Sequence, residues 1–168
     1  MSGAVAVAAV ALAVAACGSS NSSSGASSAA ASSPASAGGT SVATASGTNG
    51  KYLVGSSGRA LYLWAADPSG KSVCAGACAK FWPPLLTKSA PTAVGGVTAA
   101  QLGTITRSGG SQQVTYDGHP LYYFALDKST GSIKGQGSDN FGAKWWLVDP
   151  SGTAITKTAA AAPASSGY

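Results

Sequence analysis

The chain has 168 residues, with ten basic side chains against five acidic ones, and three cysteines. All the acidic residues are Asp, and nine of the ten basic ones are spread singly between Lys51 and Lys144. That spread forms no basic stripe of the kind a nucleic-acid reader uses, so nucleic acid is not an expected partner. Isolated lysines of this sort solubilise strands and loops, which leaves room for weak attraction to an anionic envelope polymer.

In chain order, the first element is an unbroken apolar run from Ala4 to Ala16. It is too short for a stable membrane span and suits the apolar region of a signal peptide over residues 1–16. Val14-Ala15-Ala16-Cys17 then reads as a lipobox: an aliphatic residue, two small ones and the acceptor Cys17. No Lys or Arg precedes the run. Either the α-amino group supplies the charge expected there, or the true start lies upstream. The competing reading, a buried helix, sits poorly beside the tract that follows.

That tract, residues 18–50, is almost wholly Ser, Ala, Gly and Thr, without an aromatic residue or a charge. Such a segment buries too little apolar area to offset its conformational entropy, and is expected to be a disordered tether. The Ala-rich end, residues 158–168, reads as a disordered tail. The folded part is therefore expected over residues 51–157, one small domain.

Within it the punctuation is that of an all-β protein. Tyr52-Leu53-Val54 and Ala60 to Trp64 flank Gly55-Ser56-Ser57-Gly58, a hairpin-length turn. Asp67-Pro68-Ser69-Gly70 places Asp, Pro and Gly where a type I turn favours them, and Asp149-Pro150-Ser151-Gly152 repeats it. Val73 to Phe81 suits one or two helical turns, stopped by Pro83-Pro84. Thr98 to Leu102 suits another, with Thr98 as cap and Gly103 as stop. Thr104 to Arg107 and Gln112 to Tyr116 flank Ser108-Gly109-Gly110-Ser111, and Asp117-Gly118 turns the chain into Leu121 to Leu126. Trp145 to Val148 and Thr153 to Thr156 form a last hairpin.

A seven-residue pattern recurs inside this domain. Leu61-Tyr62-Leu63-Trp64-Ala65-Ala66-Asp67 is matched 60 positions later by Leu121-Tyr122-Tyr123-Phe124-Ala125-Leu126-Asp127. Gly58 and Gly118 precede the copies at the same distance, and Lys80-Phe81-Trp82 and Lys144-Trp145-Trp146 follow them. The domain thus reads as a duplication, with repeats at about 51–88 and 104–157. The expected fold is all-β, two related antiparallel units packed as a sandwich or a barrel-like sheet, with a small helical turn at the cysteine pair. Side chains alternate along a strand. Tyr62 therefore shares a face with Trp64, and Tyr122 with Phe124. Leu61, Leu63, Leu121 and Tyr123 take the opposite faces. Strands apolar on both faces are central and buried, so the aromatic residues are expected in the core rather than on a ligand platform. Asp67 and Asp127 are expected to start turns, accepting backbone N–H bonds.

These residues carry a resemblance. Tyr62-Leu63-Trp64-Ala65-Ala66-Asp67 and Tyr122-Tyr123-Phe124-Ala125-Leu126-Asp127 resemble the Tyr-x-aromatic-x-x-Asp signature of a bacterial family of secreted-repeat lipoproteins. Cys74-Ala75-Gly76-Ala77-Cys78 running into Trp82-Pro83-Pro84-Leu85 is similar to that family as well. So are Gln113 to Tyr122 and Gly135-Gln136-Gly137, over about residues 50 to 150 in all. The resemblance implies an exported lipoprotein with tandem repeats. It implies no activity, because the family is one of unknown function.

If Cys17 is lipidated, Cys74 and Cys78 remain as a pair, and outside the cytoplasm such a pair is normally oxidised. Their spacing brings the two Cα atoms within disulfide range on a helical turn. Two alternatives stay open. A redox dithiol favours two intervening residues rather than the three here. A metal site would need further ligands, and His119 is the sole imidazole.

Catalytic constellations are missing. A nucleophile needs a base beside it, and His119 sits next to a proline in a turn. No Gly-x-Ser-x-Gly elbow appears, and Asp67, Asp117 and Asp149 are read as turn residues. Gly135 to Asn140 lacks the ending of a phosphate loop; Asp139 and Asn140 fit a surface loop better than a cation site. The expectation is a non-catalytic binding or structural module without a cofactor. It is held outside the cytoplasm by an N-terminal lipid on the cell membrane, with a cell-wall polymer or another envelope protein as partner. The alternative is a metal-binding or redox lipoprotein using Cys74, Cys78 and His119.

Overall fold

A computed structural model describes residues 39–157. The apolar run, Cys17, residues 18–38 of the expected tether and the tail 158–168 lie outside the described residues.

The strands are β1 (Ser41–Gly47), β2 (Gly50–Gly55), β3 (Tyr62–Trp64), β4 (Leu86–Thr87), β5 (Thr92–Ala93), β6 (Leu102–Thr106), β7 (Gln112–Tyr116), β8 (His119–Pro120) and β9 (Trp145–Leu147). Among the described residues one short α-helix, α1 (Ala77–Phe81), follows the first repeat motif, and 3-10 turns stand at Ala99–Gln101 and Asn140–Gly142. The strands form three small sheets, β2-β1-β5, β3-β9 and β4-β7-β6 with β8 on β7. All the pairings between named strands are antiparallel except β1 with β5. The all-β expectation holds, and the described residues contain no closed barrel.

β1 corrects the expected tether boundary. Residues 41–47 have the composition of a tether, yet they pair with β2 from Val42↔Gly55 to Gly47↔Gly50. Val42 is fully buried, and Ala43 and Ala45 pack on the aromatic core. Small side chains are what this site accommodates: a Cβ on Gly47 would stand 3.1 Å from the Tyr52 ring. The missed signal is Asn49-Gly50, a hairpin dipeptide, whose Gly50 takes φ 97°.

The hairpins β1-β2 and β6-β7 are the same unit built twice, and the Val54–Ala60 bridge after β2 repeats the Thr115–Pro120 pairing of β8 on β7. Thr44 faces Leu53 as Thr104 faces Val114. Leu61 N–H donates to the Leu53 carbonyl at 2.9 Å, and Leu121 N–H to the Val114 carbonyl at 3.0 Å. The units are interlocked. β3 pairs with β9 of the second repeat, while Tyr122 bridges to Pro84 of the first. Tyr62 and Tyr122 exchange both backbone bonds, each 2.9 Å, so the two motif strands meet at this residue pair.

The two faces of the motif strands enter two cores, as alternation requires. One holds Tyr62, Trp64, Tyr122 and Phe124 with Trp82 and Trp145. The other holds Leu61, Leu63 and Leu121, with Tyr123 packed against it. The hairpin turns at Asp117-Gly118 and Asp149 to Gly152 form as expected, Asp117 at φ 48° and Gly118 at φ 77°. The helical turn expected over Thr98 to Leu102 forms as a 3-10 turn at Ala99–Gln101, but its ends differ. Thr98 makes no side-chain cap, and Gly103 lies within β6 rather than ending a helix.

Candidate functional site

The six motif residues meet where the halves cross. The Tyr62 hydroxyl donates to Asp127 Oδ2 at 2.6 Å, and the Tyr122 hydroxyl donates to Asp67 Oδ2. Each tyrosine is thus bonded to the aspartate of the other repeat. Tyr62 and Tyr122 are fully buried; Asp67 is 9% exposed and Asp127 1%.

This arrangement adds a cross-repeat partner to the expected role of both aspartates and corrects the turn expected at Asp67. Asp67 does not open a type I turn. The hydrogen-bonded turn runs from Pro68 to Lys71 with Gly70 at φ 71°, and the Asp67 carboxylate points inward. The expected backbone bonds do form, from Val73 N–H to Asp67 Oδ1 at 2.7 Å and from Lys134 N–H to Asp127 Oδ1 at 2.8 Å. A buried carboxylate needs every acceptor site filled, and a facing phenol does that better than water would.

Burial first, then the hydrogen bond to the facing aspartate, pushes the pKa of each motif tyrosine well above its ordinary value. Burial also raises the pKa of Asp67, opposed by its bonds from Tyr122 and Val73 and by the Arg107 charge.

Two serines, unremarked in the sequence, complete the pairs. Ser132 Oγ donates to Asp127 Oδ1 at 2.8 Å, and Ser72 Oγ lies 2.6 Å from the Tyr122 hydroxyl. They stand five positions after their aspartates, in step with the repeat, and that spacing was the available signal. Two arginines brace the motif. Arg107 donates to Ser72 Oγ at 2.6 Å and to the Cys74 carbonyl at 2.5 Å. Arg59 donates to the Phe124 and Asp127 carbonyls at 2.7 and 3.0 Å, its guanidinium 4.7 Å from the Tyr123 ring centre. Neither arginine belongs to a repeated pattern, so the duplication does not point to them.

A stack of four rings fills the space between the pairs. Trp64 lies on Trp145 at 5.1 Å, Trp145 on Trp82 at 3.9 Å, and Trp82 on Phe124 at 4.4 Å. Tyr62 meets Trp82 edge-on at 5.3 Å, and Tyr122 meets Trp145 edge-on at 5.2 Å. Exchanging the halves maps each contact onto its partner. A Cβ on Gly135 would come 2.7 Å from the Trp82 ring, so only glycine fits there.

This stack also corrects the alignment of the trailing aromatics. Matching on lysine pairs Phe81 with Trp145. In the fold Ala65 N–H donates to the Lys144 carbonyl and Ala125 N–H to the Phe81 carbonyl, each at 2.9 Å, so Phe81 corresponds to Lys144 and Trp82 to Trp145. A one-residue slip inverts a strand's faces. Trp82 and Trp145 are fully buried, and Phe81 is exposed.

Cys74 and Cys78 are bonded to each other, with Cα atoms 5.3 Å apart, and both are buried. The bond fastens the segment before α1 to the aromatic core. His119 lies on β8 opposite Tyr116, half-buried. Among the described residues no three of His, Cys, Asp and Glu converge as a metal site, so the structure does not bring His119 to the cysteines. Asp139 lies on the surface, 3.4 Å from Lys144 Nζ.

A sequence model of the family described as a secreted repeat of unknown function matches residues 43–86 and 103–149, the two interlocked halves. No curated protein and no solved structure matches the chain.

Proposed function

Since the chain belongs to the family of secreted repeats of unknown function, we propose that it is a lipid-anchored, non-catalytic binding module of the cell envelope. The observation that carries this reading is the state of the motif side chains. Both motif carboxylates are buried, and the hydroxyls of the opposite repeat occupy them. A general base needs a free lone pair within reach of substrate. Here the repeated motif holds a scaffold together, which leaves the surface loops for recognition.

The lipobox ending at Cys17 supports the anchor. Two acyl chains hold a protein on a membrane where one does not. The test has two arms. Mass spectrometry of the chain extracted from membranes should find a diacylglycerol-sized addition on Cys17, and Cys17→Ser should release the chain into the medium. Envelope fractions should retain the purified chain saturably. Turnover of any envelope polymer by the pure chain would sink the non-catalytic half of the proposal.

A further inference from the structure

We propose that the cleft between Phe81 and Phe141 is a subsite for an acidic sugar ring of an envelope polysaccharide. The inference rests on the reading of the chain as an envelope-binding module, and names where it binds and what.

Two large aromatic side chains stand in solvent there. Phe81 is 48% exposed and Phe141 44%, with ring centres 6.2 Å apart and planes at 61°. The rings and Asn140 line a cleft of about 220 Å³. Phe141 holds φ 66°, a left-handed conformation that is costly for an aromatic residue. Burial of the ring does not offset that cost in the free chain. The backbone that carries both rings is nevertheless braced. Trp145 Nε1, at the centre of the core stack, donates to the Asn140 carbonyl at 2.9 Å, and Lys144 Nζ donates to the Gly137 carbonyl at 3.1 Å. Phe81 closes α1, and its carbonyl accepts from Ala125.

The chemistry of the cleft selects the occupant. A pyranose has an apolar C–H face that packs on phenyl rings and an edge of hydroxyls that needs hydrogen bonds. Asn140 lines the same cleft and is exposed, so it brings a side-chain amide to the place where such bonds are needed. An aliphatic lipid chain would leave that amide unused. Charge sets the rest. Lys80, Lys128 and Lys144 are exposed close in sequence to Phe81, Leu126 and Phe141; of the carboxylates beside them, Asp139 is paired with Lys144 and Asp127 is buried against the Tyr62 hydroxyl. A carboxylated sugar meets that excess, as does the chain's net charge of +5.

The test is affinity electrophoresis of the full chain through gels holding polygalacturonate or neutral dextran. Sedimentation with vesicles of anionic phospholipid runs beside it. Polygalacturonate should retard the chain, less so in higher salt, and dextran far less. Phe141→Gly should weaken retention at least fivefold while its melting temperature holds or rises, because glycine relaxes φ 66°. Phe81→Ala and Asn140→Ala should weaken it too. Unchanged retention of all three variants would overturn the cleft and leave envelope binding standing. Capture by vesicles without retention by polygalacturonate would overturn the sugar in favour of a lipid surface. Shortening of the polymer by the native chain but not by Phe141→Gly would support the cleft and overturn the non-catalytic reading.

Discussion

Tyr62 and Asp127 lie 65 positions apart yet share one of the short buried bonds of the molecule. The repeated motif of this chain therefore describes two half-bonds, each completed by the other repeat. Hydrogen bonds to charged groups contribute about 1.5–3 kcal/mol, so Tyr62→Phe and Tyr122→Phe should each lower unfolding free energy in urea by about that much. Double-mutant cycles separate this arrangement from one closed within a repeat. Tyr62 with Asp127, and Tyr122 with Asp67, should show coupling above about 1 kcal/mol; Tyr62 with Asp67 should show markedly less. Stronger coupling within a repeat would refute the exchange. The same phenols set an alkaline limit. Their folded pKa values are raised, chiefly by burial. Their contribution is therefore complete below the unfolded value near 10 and is lost as pH rises beyond it. In a titration followed at 295 nm, at least Tyr62 and Tyr122 of the six tyrosines should ionise only together with the loss of tertiary signal. Smooth ionisation of all six in the folded chain would contradict their burial.

At the scale of elements, patterns of apolar side chains were legible in the sequence and pairing partners were not. Alternation assigned Tyr62, Trp64, Tyr122 and Phe124 to one face and Leu61, Leu63 and Leu121 to the other, and both cores follow it. β1 was hidden because its single large apolar residue is Val42. Its order comes from the β2 ladder, and composition carries no trace of that. Val42→Ala removes two buried methyl groups and should cost about 1.6 kcal/mol before any cavity term, which thermal unfolding can measure. A disordered segment would show no change. The shifted match of Trp82 with Trp145 had the same origin: lysine marked the repeat by eye, while burial marks it in space. The cysteine pair was legible from number and spacing, since two cysteines so close have few other fates outside the cytoplasm, although α1 starts only at Ala77 and Cys74 precedes it rather than sharing the expected helical turn. The bond closes a very short loop, so chain entropy assigns it only about 2 kcal/mol. The oxidised chain should weigh two hydrogens less than the reduced one, and Cys74→Ser with Cys78→Ser should still fold. Complete unfolding of that double variant would mean that the bond orders α1 and the core beyond its loop-closure effect.

For the molecule as a whole, duplication without independence is the governing fact. A tandem array whose units each close their own core can gain or lose a unit with little consequence. Here neither half closes. β3 finds its partner only in β9, Tyr122 bridges to Pro84, and the ring stack draws Trp64 and Trp82 from one half and Trp145 and Phe124 from the other. Each half alone would expose one face of that stack and leave one tyrosine and one carboxylate unpaired. Desolvated polar groups without partners are more costly than absent ones, so the isolated halves have no stable fold to adopt. Residues 39–97 and 98–157, prepared as separate chains, should each lack near-ultraviolet dichroism and a cooperative melt. Mixed at equal concentration, they should regain both, with a midpoint that rises with concentration as a bimolecular assembly requires. Tyr62→Phe in one fragment should weaken that assembly by about the same 1.5–3 kcal/mol that it removes from the intact chain. Cooperative folding of either fragment alone would show that the crossing contacts are accessory, and the reciprocal tyrosine–aspartate pairs would then have to be explained by something other than holding the two halves together.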